Sequence, residues 1–232
     1  MVEKVPDVEV SCNVGAELAL PETAQVVYND KTANREVSVV WDAEQTAAID
    51  TNIGGSYKVE GILQDEELDE EYRTVVANVE VKLINYVVNS GFEDSDTSMW
   101  KVTYNGKENP TDYQVNAKDA RTGETAFHFW SASEMDFSIE QEVTGLEPGT
   151  YQLSAFSQGG DMLSSSVLEL YAIADGQEYT QQFELTGYAD WKEPAVTDIK
   201  LTGDTIVVGV RMKCNGGSWG TVDDFTLNRV GE

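Results

Sequence analysis

A short segment near the C-terminal end of the chain, residues 219–227, begins with the aromatic side chain of Trp219 and contains two adjacent carboxylates. Trp219 follows the glycine-rich loop 214–218 and is flanked by small residues, so its ring is either a ligand platform or a structural residue. An aromatic face can stack on the C–H groups of a sugar while nearby amides and charges bond the hydroxyls. Asp223 and Asp224 supply the hard oxygen donors that calcium prefers.

Other side chains could complete a sugar site around Trp219. Arg211 and Lys213 are two residues apart, which places them on one face of a strand, where they could bond hydroxyls or simply be solvated. The other aromatic candidates remain open between a platform and a structural role. The candidate set is Trp130, Gln158, Asp161, Tyr188, Trp191, Arg211, Lys213, Asn215 and Trp219.

Three acidic residues, Glu93, Glu124 and Asp224, lie on segments that a β-sandwich could bring together. Calcium takes about six to eight oxygen ligands, several of them backbone carbonyls. In so acidic a chain, spacing alone leaves a solvated surface as the simpler interpretation of these residues.

The overall charge restricts the partners that the chain can have. Its 232 residues include 42 acidic and 15 basic side chains, for a formal net charge of −27. This disfavours nucleic acid, whose phosphates must be neutralised by Lys and Arg, and it disfavours anionic membranes for the same reason. No apolar run reaches the length of about 18 residues that a membrane-spanning helix needs. Cys12 and Cys214 fall in different predicted domains and do not indicate a redox compartment.

No arrangement of residues predicts catalysis. A glycosidase needs paired carboxylates in a cleft, and none of the acids here lies in a recognisable catalytic motif. His128, the single histidine, alternates with Ala126 and Trp130, which places it on a sheet face. Neither a Gly-x-Ser-x-Gly elbow nor a histidine cluster for a metal occurs.

The elements that carry these residues are strands. Helical periodicity is nearly absent, and apolar runs recur every 8–15 residues with turn signals between them, which predicts an all-β protein. The first domain, residues 1–84, has predicted strands at 8–12, 25–28, 36–42, 55–61 and 74–83. In the third of these, Val37, Val39 and Trp41 share the face predicted to point to the core. The acid-rich segment 65–71 is predicted to be a solvated loop.

The second domain, residues 85–232, opens with short apolar runs at 86–88 and 100–104. Eight clearer strands follow, which favours a jelly-roll sandwich. They are predicted at 126–130, 137–143, 151–157, 166–173, 180–185, 196–201, 205–214 and 222–229.

Alternating strand directions would gather the long connections of this domain at one end. These connections are 131–136, 158–165, 186–195 and 215–221, and they hold most of the candidate sugar-binding residues. The turns at the other end are short. Long loops on a rigid scaffold commonly carry binding sites, so we expect the sugar site at the loop-rich end.

The first domain resembles a bacterial immunoglobulin-like domain of the kind found in secreted multi-modular enzymes. The stretches that carry this resemblance are 20–21, 26–30, 37–42, 55–61 and 79–81. Such domains are usually spacers, and Trp41 is expected in the core.

The second domain resembles the calcium-containing β-sandwich carbohydrate-binding modules at residues 89–93, Trp100, 122–123 and 223–225. More narrowly, it is similar to the family 61 module attached to bacterial endo-β-1,4-galactanases. The stretches that carry this narrower similarity are 156–161, 170–175, 210–214 and 217–225.

This resemblance implies binding to β-1,4-galactan, the side chain of pectin, and a structural calcium ion. Matched to the motif, Glu93 and Asp224 would bind calcium through their side chains. Thr122 would contribute its carbonyl, and Glu124 is a further candidate ligand. Tyr188 stands where the family is expected to have a tryptophan, which would alter one edge of the sugar site.

We therefore expect a non-catalytic, extracellular chain, secreted or at the cell surface, that targets a linked endo-galactanase to its polysaccharide. It would be a monomer within a larger multi-modular enzyme. The alternatives are a protein-interaction or adhesion module and a module for another plant cell-wall glycan. An exposed apolar patch on residues 7–83 would favour adhesion, and the sequence indicates none.

One geometric consequence follows for calcium. Residues 122–124 lead into their strand, so strand alternation places them at the opposite end of the domain from Trp219. The metal should therefore lie away from the sugar, with Asp224 rather than Asp223 pointing inward.

Overall fold

The structure, a computed structural model, describes residues 2–29, 34–106 and 109–231. Asp30, which contributes to the immunoglobulin-like resemblance, lies outside the described residues. The chain divides into two compact units, Met1–Ile84 and Asn85–Glu232. Their regular structure is almost entirely strand, which confirms the all-β class. Among the described residues, no helix has both the length and the apolar character needed to cross a bilayer.

The first unit is a six-stranded immunoglobulin-like arrangement. Its strands follow the order β1-β3-β4-β5-β6-β2, in which β2 and β6 are parallel. They are β1 (Val2–Lys4), β2 (Val8–Asn13), β3 (Thr23–Tyr28), β4 (Arg35–Trp41), β5 (Gly55–Leu63) and β6 (Thr74–Lys82).

The predicted core face of β4 is confirmed. Val37 is buried, and Val39 and Trp41 pack against the same cluster. The helix α1 (Ala43–Ala47) was not predicted; the Asp42 carboxylate caps its first turn by accepting two backbone N–H bonds of 2.9 Å. The acid-rich segment 65–71 forms turns and enters a short 3-10 helix, Glu70–Tyr72.

The second unit is a β-sandwich of two sheets around one hydrophobic core. We call β14-β11-β17-β9-β8, with β15 on β11, the site sheet, and β13-β12-β16-β10-β7 the opposite sheet. The strands are β7 (Trp100–Tyr104), β8 (Thr111–Val115), β9 (Thr125–Trp130), β10 (Met135–Thr144), β11 (Gly149–Gly160), β12 (Val167–Ala174), β13 (Gln177–Gln182), β14 (Gly187–Lys192), β15 (Ala195–Leu201), β16 (Thr205–Cys214) and β17 (Trp219–Gly231).

The sequence prediction missed β8 and β14, which are the two edge strands of the site sheet. An edge strand pairs on one side only, so it can be short and polar, and these two lack a clear apolar alternation. β13 lies at 177–182 rather than 180–185. Residues 86–88 are not a strand, although the Tyr86 N–H donates to the Leu227 carbonyl at 2.9 Å.

Candidate functional site

One polar row crosses four strands of the site sheet. Asp112, His128, Thr221 and Gln158 lie directly opposite one another on β8, β9, β17 and β11. Their neighbours along each strand point into the core, so strand alternation turns this row to the outer face.

A pair of tryptophans forms the next row on the same face. Trp219 lies opposite Trp130 on β9 and opposite Gly160 on β11. Its indole covers Gly160, where an added Cβ would be 3.2 Å from ring carbon Cζ2. The indole Nε1 donates to Asp161 Oδ2 at 2.8 Å. The Trp219 ring is therefore held in one orientation, whereas Trp130 is 54% exposed.

The Gln158 side chain connects the two walls of this face, which are the turn that contains Asp119 and the strand β14. Its Nε2 donates to the Asp119 carbonyl at 3.1 Å, and its Oε1 accepts the N–H of Ala189 on β14 at 2.5 Å. The Thr221 hydroxyl donates to the same Asp119 carbonyl at 3.0 Å. Since only 2% of Gln158 is exposed, it positions the walls rather than presenting its amide to solvent.

A pocket of about 220 Å³ lies between these walls. It is lined by Gln114, Asp119, His128, Gln158, Tyr188, Trp219, Gly220 and Thr221. Its volume falls below the roughly 300–1,000 Å³ of sites for drug-sized molecules, which suits a small ligand or one unit of a longer one.

Tyr188, on the edge strand β14 of the site sheet, lines the pocket and is 56% exposed. Its ring centroid is 6.5 Å from that of Trp219, with 42° between the planes. The Tyr188 hydroxyl donates to the Lys118 carbonyl at 2.9 Å. Desolvation raises the pKa of this phenol, and the nearby charge of Asp119 raises it further, so Tyr188 remains a neutral donor and platform.

The structure thus brings together five of the nine sugar-site candidates: Trp130, Gln158, Asp161, Tyr188 and Trp219. It also adds Gln114, Asp119, Thr221 and His128 to the pocket. The alternation of Ala126, His128 and Trp130 was a usable signal for His128. Gln114 gave none, because the strand β8 was itself not predicted, and Asp119 lies in the turn between β8 and β9, which has no pattern of its own.

Arg211 and Lys213 lie on β16, in the opposite sheet. Arg211 alternates with core residues and faces outward, where its guanidinium pairs with Glu169 at 2.6 Å and Glu178 at 2.5 Å. Lys213 lines a different cavity of about 730 Å³, beside Asp136. Neither side chain contributes to the pocket on the site sheet.

Asn215 and Trp191 are the other two candidates that the structure does not bring to this group. The Asn215 amide bonds the Asp161 carbonyl at 3.0 Å and the Leu163 N–H at 2.8 Å, so it stabilises its loop. Trp191 is half-buried on β14.

The predicted calcium residues converge elsewhere on the unit. Glu93 Oε1 accepts the N–H groups of Glu124 and Thr125 at 2.9 and 2.7 Å. Asp224 Oδ1 accepts the Thr122 hydroxyl at 2.8 Å. Because Trp130 at the end of β9 faces Trp219, the segment before β9 lies at the other end of the strand, away from the tryptophans.

Asp223 is the more buried of the two adjacent aspartates, with no exposed surface, whereas Asp224 is only half-buried. The expectation that Asp224 rather than Asp223 points inward is therefore wrong, because Asp223 continues the strand while Asp224 takes a left-handed backbone with φ of 48°. Burial raises the pKa of Asp223 to about 7, and the charge of Asp224 adds to this rise. The Arg121 N–H, donating to Asp223 Oδ2 at 2.7 Å, acts against it.

The carboxylate oxygens of Asp223 and Asp224 beside Gly91 meet part of what a cation site requires. An ideal Cβ on Gly91 would lie 2.9 Å from Asp224 Oδ1 and 3.4 Å from Asp223 Oδ1, so two carboxylate oxygens crowd one position beside a glycine. In the described ranges, neither aspartate forms an ion pair. Those ranges also hold no cluster of three or more His, Cys, Asp or Glu side chains suited to a metal. A calcium ion here would need backbone carbonyls or water for most of its ligands.

Comparison with known proteins separates the two units. The model of the bacterial immunoglobulin-like domain, group 4, matches residues 5–65. No curated protein matches the chain. Among solved structures, TmCBM61 in complex with β-1,4-galactotriose is 30% identical, with a TM-score of 0.57; the match covers 63% of this chain and 99% of that one.

A second solved structure shares the fold alone. It is the enzymatically active domain of bacteriophage CBA120 tailspike protein 4, which is 12% identical with a TM-score of 0.51. The match covers 63% of this chain and 22% of that one.

Proposed function

Because the chain belongs, through its second unit, to carbohydrate-binding module family 61, we propose that it binds β-1,4-galactan without cleaving it. The observation that carries this proposal is the pocket beside Trp219 and Tyr188. It combines the half-buried ring of Trp219 and the exposed ring of Tyr188 with amide, hydroxyl and imidazole groups, which is the mixture that a sugar ring requires.

The fixed orientation of Trp219 supports binding at low entropic cost. Its ring packs on Gly160, and its Nε1 bonds Asp161, so little side-chain freedom is lost when a sugar stacks on it. Gln158 and Thr221 similarly fix the backbone around Asp119. We expect Trp219 and Tyr188 to contact the C–H face of the sugar and Asp119 to accept from a hydroxyl.

We propose that the chain is an extracellular, monomeric part of a larger multi-modular endo-β-1,4-galactanase. Binding the galactan side chains of pectin would keep a tethered catalytic domain at a high local concentration on its substrate. The immunoglobulin-like unit would serve as a spacer in that enzyme.

We also propose a structural calcium ion at the junction of residues 89–93, 121–125 and 223–224. The carboxylates of Glu93 and Asp224 would hold it together with the Thr122 carbonyl, and Glu124 is a further candidate. Support comes from the crowding of Asp223 and Asp224 oxygens beside Gly91. When bound, the ion would offset the repulsion between these carboxylates and join the three segments.

Calorimetric titration of the whole chain tests the proposed ligand. β-1,4-Galactotriose should release heat on binding, whereas cellotriose and xylotriose of the same length should bind more weakly. No heat with galactotriose, or equal affinity for all three, would contradict galactan binding. Release of shorter sugars from galactan by the purified chain would contradict the non-catalytic assignment.

One observation bears on the adhesion alternative. Val40 and Ile62 face each other across β4 and β5, and each is 58% exposed. The first unit therefore has an exposed apolar pair that the sequence did not indicate. A pair of side chains falls well short of the several hundred Å² that marks an interaction patch, so carbohydrate binding remains the better-supported function.

A further inference from the structure

Two hydrogen-bond acceptors in the pocket are left available by the protein. Gln114 Oε1 is buried and has no hydrogen-bond partner in the part of the chain that the structure describes. A buried acceptor without a donor is destabilising, so such atoms usually meet water or a ligand. Gln114 lines the pocket, where a ligand hydroxyl could supply the missing donor.

The second acceptor is the imidazole of His128. Its Nδ1 lies 2.7 Å from Asp112 Oδ1 on the neighbouring strand. A carboxylate in this position accepts the Nδ1 proton, and the neutral ring then keeps Nε2 as an acceptor. Asp112 thus fixes the tautomer of a histidine that lines the pocket.

The two acceptors are close enough to serve one sugar unit. Gln114 pairs with Ala126 on β9, which is two residues from His128 on the same face. Diagonal neighbours of this kind are separated by about 7–8 Å between Cα atoms, within reach of their side chains. A ligand held against Trp219 would meet both groups on the sheet side of the pocket.

We infer that Gln114 and His128 are specificity-determining residues that accept hydrogen bonds from two hydroxyls of the bound sugar, and that Asp112 is the positioning residue for His128. This inference rests on the proposed carbohydrate function and adds the hydroxyl-reading groups of that site. A site with two acceptors selects ligands whose hydroxyls are free at both positions. A sugar in which either oxygen is methylated or removed should bind less well.

The test is calorimetric titration with β-1,4-galactotriose and its monodeoxy analogues. Gln114→Leu keeps the side-chain size and removes the acceptor, and His128→Phe keeps a flat ring without nitrogen. Each should weaken galactotriose binding about threefold to tenfold, the range for one neutral hydrogen bond. Gln181→Leu, an exposed glutamine on β13 of the opposite sheet, is the matched control and should bind as the native chain does.

The monodeoxy analogues separate recognition from a structural effect. The analogue that lacks the partner hydroxyl should bind the native chain weakly, yet lose nothing further on the corresponding variant. If removing any hydroxyl lowers the affinity of the variant as much as it lowers that of the native chain, the inference is overturned. Full retention of galactotriose affinity by both variants would also overturn it. Failure of the native chain to bind galactotriose would instead refute the proposed function.

Asp112 gives an independent measurement. Asp112→Asn retains an oxygen that can accept from Nδ1 and should bind galactotriose as the native chain does. Asp112→Ala leaves the His128 imidazole without its partner at Nδ1. This variant should lose part of the galactotriose affinity that His128→Phe loses. Identical affinity in the alanine and asparagine variants would overturn the positioning role.

Discussion

The two outer faces of the sandwich carry similar side chains, but their polar groups have different partners. On the opposite sheet, Arg211 bonds Glu169 and Glu178, and the buried Tyr171 hydroxyl donates to Glu140 at 2.7 Å. On the site sheet, the Gln114 carbonyl has no partner in the described residues. The polar groups named on the first face are paired within the protein, whereas we propose that a ligand completes the second.

Two carboxylates of the opposite sheet are held in place by basic side chains. The hydrogen bond from Arg211 lowers the pKa of Glu169, and that from Lys101 lowers the pKa of Glu140, so these carboxylates are stabilised in their charged forms. The aromatic, amide and cationic residue types that suggest a sugar site occur on both faces. The difference indicates that a binding site is identified by polar groups without protein partners rather than by residue type.

The largest effect should come from Trp219→Ala, which removes the oriented platform from the site sheet. Loss of a central aromatic contact costs about 2 kcal/mol or more, or roughly thirtyfold in affinity. Titration with β-1,4-galactotriose measures this. Trp191→Ala is the control, because this half-buried tryptophan on β14 does not line the pocket. An equal loss of galactotriose affinity in the two variants would contradict a special role for Trp219 over Trp191.

Gln158→Leu should have the next largest effect, because it breaks the bonds to the Asp119 carbonyl and the Ala189 N–H. The Asp119 carbonyl then keeps only the Thr221 hydroxyl, and the Ala189 N–H loses its acceptor. Two such losses in a buried position should cost on the order of 2 kcal/mol in the free energy of unfolding. Affinity for galactotriose should fall as well, because Gln158 no longer connects the two walls of the pocket by hydrogen bonds. Urea denaturation and titration on the same samples test both effects, and unchanged stability would show that Gln158 is not a positioning residue.

Removal of calcium should act on stability and leave the pocket intact. With calcium about tenfold above its Kd, binding contributes about 1.4 kcal/mol, so EDTA should lower Tm by roughly 3–6 °C. Asp224→Ala should make Tm insensitive to EDTA, while the affinity of either sample for galactotriose stays unchanged. A Tm that is independent of calcium in the native chain would remove the metal from the proposal.

Arg211→Ala, on the satisfied face, should have the smallest effect. The Arg211 side chain is 41% exposed, so its ion pairs contribute about 1 kcal/mol or less, and affinity for galactotriose should not change. The stabilising effect on Glu169 is present above the ordinary glutamate pKa of about 4.3 and is lost as pH falls through the lowered value. The stability difference between native and variant chains should therefore narrow in acid. A loss of galactotriose affinity would mean that the opposite face also binds sugar.

Strand periodicity predicted the fold well where strands have a buried face. β9, β10 and β16 alternate core residues with outward residues, and their positions follow from that pattern. The edge strands β8 and β14 gave no such pattern, although they carry Gln114 and Tyr188. Two of the eight residues that line the pocket therefore lie on the strands that are hardest to predict.

The placement of Arg211 and Lys213 shows a second limit. Their spacing correctly put them on one face of a strand, but spacing does not specify which sheet that strand joins. β16 pairs with β10 and β12, which turns Arg211 towards Glu169 and away from Trp219. Pairing between distant strands depends on the packing of the whole core, which no local pattern encodes.

The sequence by itself determined the all-β class and the family resemblance, and it singled out Trp219 as a candidate, because these depend on residue types and on local alternation. Only the tertiary structure decided that Trp219 lies beside Trp130 and Gly160, that Asp161 fixes its ring, and that Gln114 is left without a donor. Whether a polar atom is satisfied depends on side chains that are distant in sequence and adjacent only after the strands pair. That is why the aromatic residues of the proposed sugar site could be predicted from the sequence, while the acceptors beside them required the fold.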